Sequence, residues 1–243
     1  MTQRILPVAI LAGGLATRLR PLTTTIPKAL VEVNGDPFIA HQLRLLRAHG
    51  ITRVVVCAGY LGEMIQEYVG DGEEFGVQVR FVFDSPRLLG TAGALKHALP
   101  LLGEAFFVLY GDAYLPCEYG AIQSAFEQSG RLALMTAFPN DGRWDRSNVE
   151  FIDGRILAYD KHRPTPQMRH IDYGLGVFYH TAFAALPEDQ FYDLATLYQE
   201  LLARGTLATY EVGQRFYEIG SFAGLEETRQ YLAKQSNSSR SAP

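Results

Sequence analysis

The chain has 243 residues, 47% of them hydrophobic and 20% charged, with a formal net charge of -4 and a pI near 5.9. That balance suits a soluble α/β domain and argues against broad electrostatic binding to nucleic acid or to an acidic membrane surface. Two cysteines, Cys57 and Cys117, are too few for a disulfide framework or a zinc site; with no bilayer-length apolar stretch and no secretory-signal pattern, a cytoplasmic location with reduced thiols is expected.

Taken in chain order, the first half alternates between strand and helix patterns. An apolar run at 5–11 reads as a buried strand. An amphipathic helix follows at 38–49, with Ile39, Leu43 and Leu46 on one face. A valine-rich strand at 52–57 places Cys57 as a buried thiol. A short helix is expected at 62–69, a strand at 77–83, a helix at 91–99 with Thr91 as its N-cap, and a strand at 105–110. Continuous apolar strands separated by helices imply an α/β fold. Its form is a Rossmann-like, mostly parallel mixed sheet with helices on both faces.

The second half is less regular. Helices are expected at 119–128 and 195–204, and strands at 132–138, 148–152, 155–159, 172–179, 207–210 and 215–219. Asp153-Gly154 is a hairpin signal between two of them. Ser221 should cap a last helix running through Leu232, and the polar run 235–243 reads as a disordered tail. No repeat or linker divides the chain, so one domain with a small β-rich second lobe is expected.

Chemistry gathers at the end of the first strand. Gly13-Gly14 leaves backbone N–H groups free to face a ligand. Arg18, Arg20 and Lys28 follow, and no acidic residue precedes Glu32. A cationic patch in an acidic protein points to a small polyanion, most simply a nucleoside triphosphate. Neither Gly-x4-Gly-Lys-Ser/Thr nor Gly-x-Gly-x-x-Gly is present, which argues against a P-loop ATPase and a dinucleotide site. Asp112, in Tyr110-Gly111-Asp112, directly follows the strand at 105–110. Ligands of open α/β sheets bind at the carboxyl ends of strands. A carboxylate there, beside a triphosphate, makes sense as a ligand of Mg²⁺. Leu89-Gly-Thr-Ala-Gly-Ala-Leu95 opens a helix on small residues. Gly90, Ala92 and Gly93 would let a flat base approach, although tight helix packing explains them nearly as well.

Leu11-Ala-Gly-Gly, Thr17-Arg18-Leu19-Arg20-Pro21-Leu22-Thr23 and Pro27-Lys28-Ala29-Leu30 together resemble the signature of sugar-1-phosphate nucleotidylyltransferases. Leu89–Leu95 resembles their base-binding segment and Gly111-Asp112 their metal-binding turn. The resemblance implies attack of a sugar 1-phosphate oxygen on the α-phosphorus of a nucleoside triphosphate, with pyrophosphate leaving. Leu11, Ala12, Gly13, Gly14, Thr17, Gly90, Thr91, Ala92 and Gly93 would bind the nucleotide. Arg18 would hold the leaving pyrophosphate, Lys28 would stabilise the reacting phosphate, and Asp112 would bind Mg²⁺. Glu218 stands where the family usually has a second metal-binding Asp. Lys161, in Asp160-Lys161-His162-Arg163-Pro164, matches the lysine that binds the sugar phosphate. Asn148, Asp172 and Gly174 fall where the family contacts sugar or ribose. Arg163, Arg169 and His170 read as an ordinary charged loop, with a second phosphate or an acidic sugar as the alternative.

The same resemblance divides the domain, 1–234, into a mainly nucleotide-binding part at 1–112 and a mainly sugar-binding lobe at 113–234. It implies a short member without the left-handed β-helix extension of larger relatives, and leaves a homo-oligomer open. The base-binding segment is similar to enzymes making GDP-mannose and to short guanylyltransferases acting on heptose 1-phosphate. Short uridylyltransferases for N-acetylmuramate 1-phosphate share the layout. The run Pro27–Gly35 also resembles cytidylyltransferases for phosphocholine-like substrates. The expected partners are therefore an NTP, with guanine favoured, and a sugar 1-phosphate, with neither nucleic acid nor membrane. Ala16, where the family has glycine, and Glu218 motivate a rival from another class, a catalytically inactive nucleotide-sensing protein. A Rossmann oxidoreductase binding nicotinamide is the other.

Overall fold

The computed structural model describes residues 4–14, 17–84 and 88–240, with side chains as far as Gln235. Its elements are β1 (Val8–Ala12), a ribbon of β2 (Glu32–Val33) and β3 (Asp36–Pro37), α1 (Phe38–Ala48), β4 (Arg53–Ala58), α2 (Gly62–Val69) and β5 (Gln78–Phe83). Next come α3 (Gly90–Leu102), β6 (Ala105–Tyr110), β7 (Ala113–Tyr114), α4 (Tyr119–Ser129), β8 (Ala133–Pro139), β9 (Val149–Ile152) and β10 (Arg155–Tyr159). The chain continues through β11 (His170–Tyr179), α5 (Leu194–Ala203), β12 (Leu207–Glu211), β13 (Tyr217–Glu218) and α6 (Phe222–Arg240).

Apolar β1 lies at the centre of a mixed sheet. It pairs in parallel with β4, Ile10 opposite Val56, and with β6, Ile10 opposite Leu109. β5 extends this parallel half beyond β4. On the other side β11 runs antiparallel to β6 and to β8, and β12 pairs in parallel with β8. The hairpin of β9 and β10 turns at Asp153-Gly154, both at positive φ, and joins β11 through Val149 and His170. The β-rich second half is thus continuous with the parallel half of the sheet.

Both sheet faces are covered, as alternation along β1 requires. Val8 and Ile10 pack with α1, α2 and α4, whereas Ala9 packs with α3 and α5. A third, smaller core joins Leu19, Val31, Val33 and Phe38 to Ile219, Leu225 and Leu232. It clamps the segment after β1 against β13 and α6. Both cysteines are buried, and burial pushes each thiol pKa up to about 12, so they serve as packing groups.

Three expected boundaries move. Thr91 is not a cap: α3 begins at Gly90, and Thr91 Oγ1 accepts the Leu194 N–H at 2.7 Å, fastening α3 to α5. The strand expected at 215–219 shrinks to β13, because its partner β7 is only two residues long. Ser221 does cap α6, its hydroxyl accepting the Gly224 N–H at 3.0 Å. The helix then runs past 235 into the segment expected as a disordered tail. That segment holds no glycine or proline before Pro243 to stop it.

The edge where β1, β4 and β6 end is unusually close-packed. A Cβ on Gly59, just after β4, would lie 2.8 Å from the Gly13 carbonyl oxygen and 2.9 Å from Gly13 Cα. Backbone atoms cannot yield to that methyl. Gly59→Ala should therefore lower unfolding free energy by about 1–3 kcal/mol in chemical denaturation. The displaced backbone would be the Gly13-Gly14 loop; an unchanged denaturation midpoint would contradict this packing.

Candidate functional site

A pocket of ≈ 460 Å³ opens at the carboxyl ends of β1, β4, β5 and β6. Of the residues picked out in the sequence, Leu11, Ala12, Gly13, Gly14, Lys28, Gly90, Thr91, Asp112 and Lys161 line it. Lys28 begins a short 3-10 turn whose next residue, Ala29, is anchored in the core. Its Nζ lies 2.9 Å from Asp112 Oδ2. Asp112 is held in place by its own backbone: the preceding Gly111 N–H donates to the Leu11 carbonyl, and the Asp112 carbonyl accepts the Ile219 N–H at 2.9 Å.

That last bond, with Ala113 opposite Glu218 in the β7–β13 ribbon, carries Glu218 to Asp112 across more than a hundred residues of sequence. A Cβ on Gly220 would stand 3.3 Å from Asp112 Oδ2 and 3.4 Å from Arg18 Nη2, and would also strike Glu218 Oε2. Arg18, Asp112 and Glu218 therefore meet around Gly220, beside the pocket wall that Lys28 and Asp112 form. The Glu218 carboxylate accepts the Gly220 N–H and, at 3.0 Å, the Ser221 hydroxyl. Its Cδ leaves Gly224 no room for a side chain, since a Cβ there would approach within 2.6 Å. Burial pushes the Glu218 pKa up and nearby Asp112 adds to this, against the Gly220 and Ser221 hydrogen bonds and Lys28.

Two carboxylates close enough to repel, with cations beside them, fit a hard divalent cation. Mg²⁺ is commonly held by one or two carboxylates and completes its shell from substrate phosphates and water. Asp112 and Glu218 are the residues that would hold it. Among the described residues no group of three or more His, Cys, Asp or Glu forms a closed cage.

The second lobe supplies a buried polar network. Asp160 Oδ1 accepts the His162 and Arg163 N–H groups at 2.7 and 2.9 Å, which hold its carboxyl below the usual range and turn the chain sharply after β10. Lys161 is thereby set over Tyr110, with Nζ donating to the Tyr110 hydroxyl at 2.9 Å and lying 4.5 Å from the ring centroid. Below it Asp172, with a side chain only 3% exposed, accepts the Tyr110 and Tyr159 hydroxyls at 3.1 and 3.2 Å. Lys161 Nζ is 3.6 Å from the same oxygen. Burial above all, with Asp172 next, pushes the Tyr110 and Tyr159 pKa values far up, so both stay neutral donors.

Each of the three sugar-side candidates takes part in this network. Asp172 is buried among Tyr110, Tyr159 and Lys161. Gly174, at φ +93°, is buried under Tyr110 and donates its N–H to Asp172 Oδ1. Asn148 is a strut: its Oδ1 accepts the Asp172 N–H at 2.9 Å and its carbonyl accepts the Asp160 N–H. All three position Lys161 from behind. In the neighbouring loop Arg169 pairs with Asp141 at 2.8 Å, and His170 lies 3.8 Å from Glu211.

On α3, Ala92 and Gly93 are not among the residues that line the pocket. Both donate their N–H groups to the Tyr192 carbonyl, and a Cβ on Gly93 would come within 3.0 Å of the Gln190 carbonyl. Close packing of α3 accounts for these small residues. Thr17 is exposed at the start of a 3-10 turn, outside the pocket lining. Ala16 lies outside the described residues. The pocket adds Cys57, Asp84, Leu88, Tyr110, Phe191 and Asp193. Asp84 and Tyr110 could have been found by the edge rule that found Asp112, because they follow or end β5 and β6. Phe191 and Asp193 belong to a connection with no motif.

Set beside known proteins, the chain belongs to the Nucleotidyl transferase family, whose model matches residues 8–144. It is 39% identical over 124 residues to N-acetylmuramate alpha-1-phosphate uridylyltransferase of Neisseria meningitidis, covering 51% of this chain and 52% of that protein. It is 42% identical over 173 residues to mannose-1-phosphate guanyltransferase of Hypocrea jecorina, covering 61% and 47%. The chain thus spans about half the length of these curated relatives. The crystal structure of HddC from Yersinia pseudotuberculosis complexed with GMP-PN has the same fold, with a TM-score of 0.78 at 22% identity over 94% of this chain and 100% of that one. No helix among the described residues is long and apolar enough to cross a membrane.

The Glu218 pKa lies above the ordinary 4.5 in the folded protein. Its stabilising contribution is therefore present below that value and is lost as pH rises through the raised one. Glu218→Gln should melt progressively higher than the parent as pH rises toward neutrality, in chelator-containing buffer. Added Mg²⁺ should narrow that gap by stabilising the parent. A constant difference across pH would contradict the strained carboxylate.

Proposed function

We propose that this chain transfers a nucleoside monophosphate from an NTP to a sugar 1-phosphate, releasing pyrophosphate and forming a nucleotide sugar. The observation that carries this reading is the contact of Lys28 with Asp112, just past the end of β6, in a pocket that Gly13, Gly14 and Lys161 also line. A cation for each of two phosphates and a carboxylate pair for a metal is the equipment that phosphoryl-type transfer needs. Such chemistry depends on alignment and charge neutralisation more than on covalent help from the protein.

In this reading the sugar phosphate oxygen forms a bond to the α-phosphorus while the bond to the β-phosphate oxygen breaks, its electron pair leaving with pyrophosphate. Lys161 holds the incoming phosphate, and Lys28 faces the reacting phosphorus. Arg18 steadies the departing pyrophosphate, and the Gly13 and Gly14 backbone seats the triphosphate. Mg²⁺, held by Asp112 and Glu218, would neutralise phosphate charge. Residues 1–112 then serve mainly the nucleotide and 113–234 mainly the sugar, within a Rossmann-like single domain acting in the cytoplasm.

GTP with mannose 1-phosphate or heptose 1-phosphate is the favoured pair, supported by the guanyltransferase relative and by the GMP-PN complex of the same fold. Uridylyl transfer to an amino-sugar 1-phosphate is the second reading, supported by the Neisseria relative.

Pyrophosphate release, measured for four NTPs against several sugar 1-phosphates and phosphocholine with Mg²⁺, decides between them. Silence across the whole panel would favour the nucleotide sensor instead. Lys28→Ala and Asp112→Ala should each lower kcat by about 10²-fold or more, as removal of a transition-state charge partner does; near-normal turnover in either would sink the assignment. Tyr110→Phe keeps the ring but removes the hydroxyl that receives Lys161. It should raise KM for the sugar 1-phosphate by about tenfold while leaving KM for the NTP unchanged. An equal rise in both constants would mean a structural role only.

A further inference from the structure

The pocket has two arms along the sheet edge. One runs from Gly13-Gly14 toward β6 and Lys161. The other runs toward β4 and β5 and is walled by Cys57, Leu88, Gly90 and Ala94, which offer apolar or small surfaces. On this second arm Asp84 supplies a charged side chain. It directly follows β5, and its N–H donates to the Ala58 carbonyl at 3.0 Å, fixing it beside the end of β4. The Leu89 backbone N–H serves the carboxyl from the helix side. Oδ1, however, is buried and has no hydrogen-bond partner among the described residues. Burial accordingly pushes the Asp84 pKa up, only partly opposed by Leu89 and by His97.

A buried carboxylate oxygen without a donor is costly, and a ligand that brings the donor recovers that cost. The arm departs from the triphosphate loop on the side away from Lys161, so what enters it is the far end of the nucleotide. We infer that Asp84 reads the base of the NTP and selects guanine, a conclusion that rests on the nucleotidyl-transfer reading of this pocket. Guanine presents N1–H and the exocyclic N2 amino group side by side, two donors with no acceptor between them. Uracil and thymine set their single N3–H between two carbonyl oxygens, which a carboxylate repels. Adenine and cytosine each place a ring-nitrogen acceptor next to the amino group. A carboxylate oxygen is therefore matched by guanine and penalised by the other bases.

The test is equilibrium binding of GTP, ITP, XTP and UTP by calorimetry, on the parent and on Asp84→Asn. The parent should bind GTP about 10- to 100-fold more tightly than XTP or UTP, with ITP, which lacks the N2 amino group, between them. In Asp84→Asn the amide can keep its oxygen on Leu89 and turn its NH₂ to the ligand. The preference should then move from GTP toward XTP, whose C2 carbonyl accepts it. A gain of XTP binding cannot come from misfolding, and if the variant does not fold, the parent's ranking of GTP, ITP and XTP still decides. A parent that binds UTP or XTP as tightly as GTP, or a variant with an unmoved GTP-to-XTP ratio, overturns the assignment. Pyrophosphate release is scored separately: guanine-selective binding without release defeats the transfer reading alone, and release with base preference unmoved by Asp84→Asn defeats the Asp84 assignment alone.

Discussion

Everything at the site depends on how closely three strand ends approach one another. Gly13, Gly59 and Gly111 stand just beyond β1, β4 and β6, and at Gly59 and Gly111 a side chain would strike neighbouring backbone. Without side chains the ends draw together, and the Gly111 N–H can reach the Leu11 carbonyl. Asp112, next after Gly111, is thereby fixed where Lys28 reaches it from its own 3-10 turn. The Lys28–Asp112 contact follows from this convergence, since neither residue could find the other through its own local structure.

Convergence would have little use if the loop after β1 were free to swing. The small core of Leu19, Val31, Val33 and Phe38 with Ile219 and Leu225 prevents that. It is chemically separate from the two large cores and spans the beginning and end of the chain. Apolar burial is non-directional, yet here it has a directional result. By fixing Leu19 against Ile219 it presents Arg18 and Glu218, their sequence neighbours, to the same spot. Local hydrogen bonds then refine what burial places roughly, with Gly220 and Ser221 holding the Glu218 carboxylate.

The alternation of β1, α1, β4, α2, β5, α3 and β6 was legible because each strand is a short apolar run bounded by turn residues. The same edge made Gly13, Lys28 and Asp112 readable as a group. Other parts were not legible for identifiable reasons. Ala92 and Gly93 looked available to a base, but the residue that claims their N–H groups, Tyr192, lies a hundred positions away and carries no motif. Asp172 looked like a sugar ligand because an exposed and a buried aspartate are spelled alike. Only the tertiary meeting of Tyr110, Tyr159 and Lys161 shows that it is buried and hydrogen-bonded within the protein. The length of α6 escaped because serine and asparagine weaken a helix without ending it.

Tyr110 and Asp112 sit two residues apart at the end of β6, yet one props up Lys161 and the other grips Lys28. Each lysine lies on a turn of its own, yet both are tied to neighbouring residues of one strand end. Because a buried central strand shifts as a unit, a change in β6 would move the two ammonium groups together.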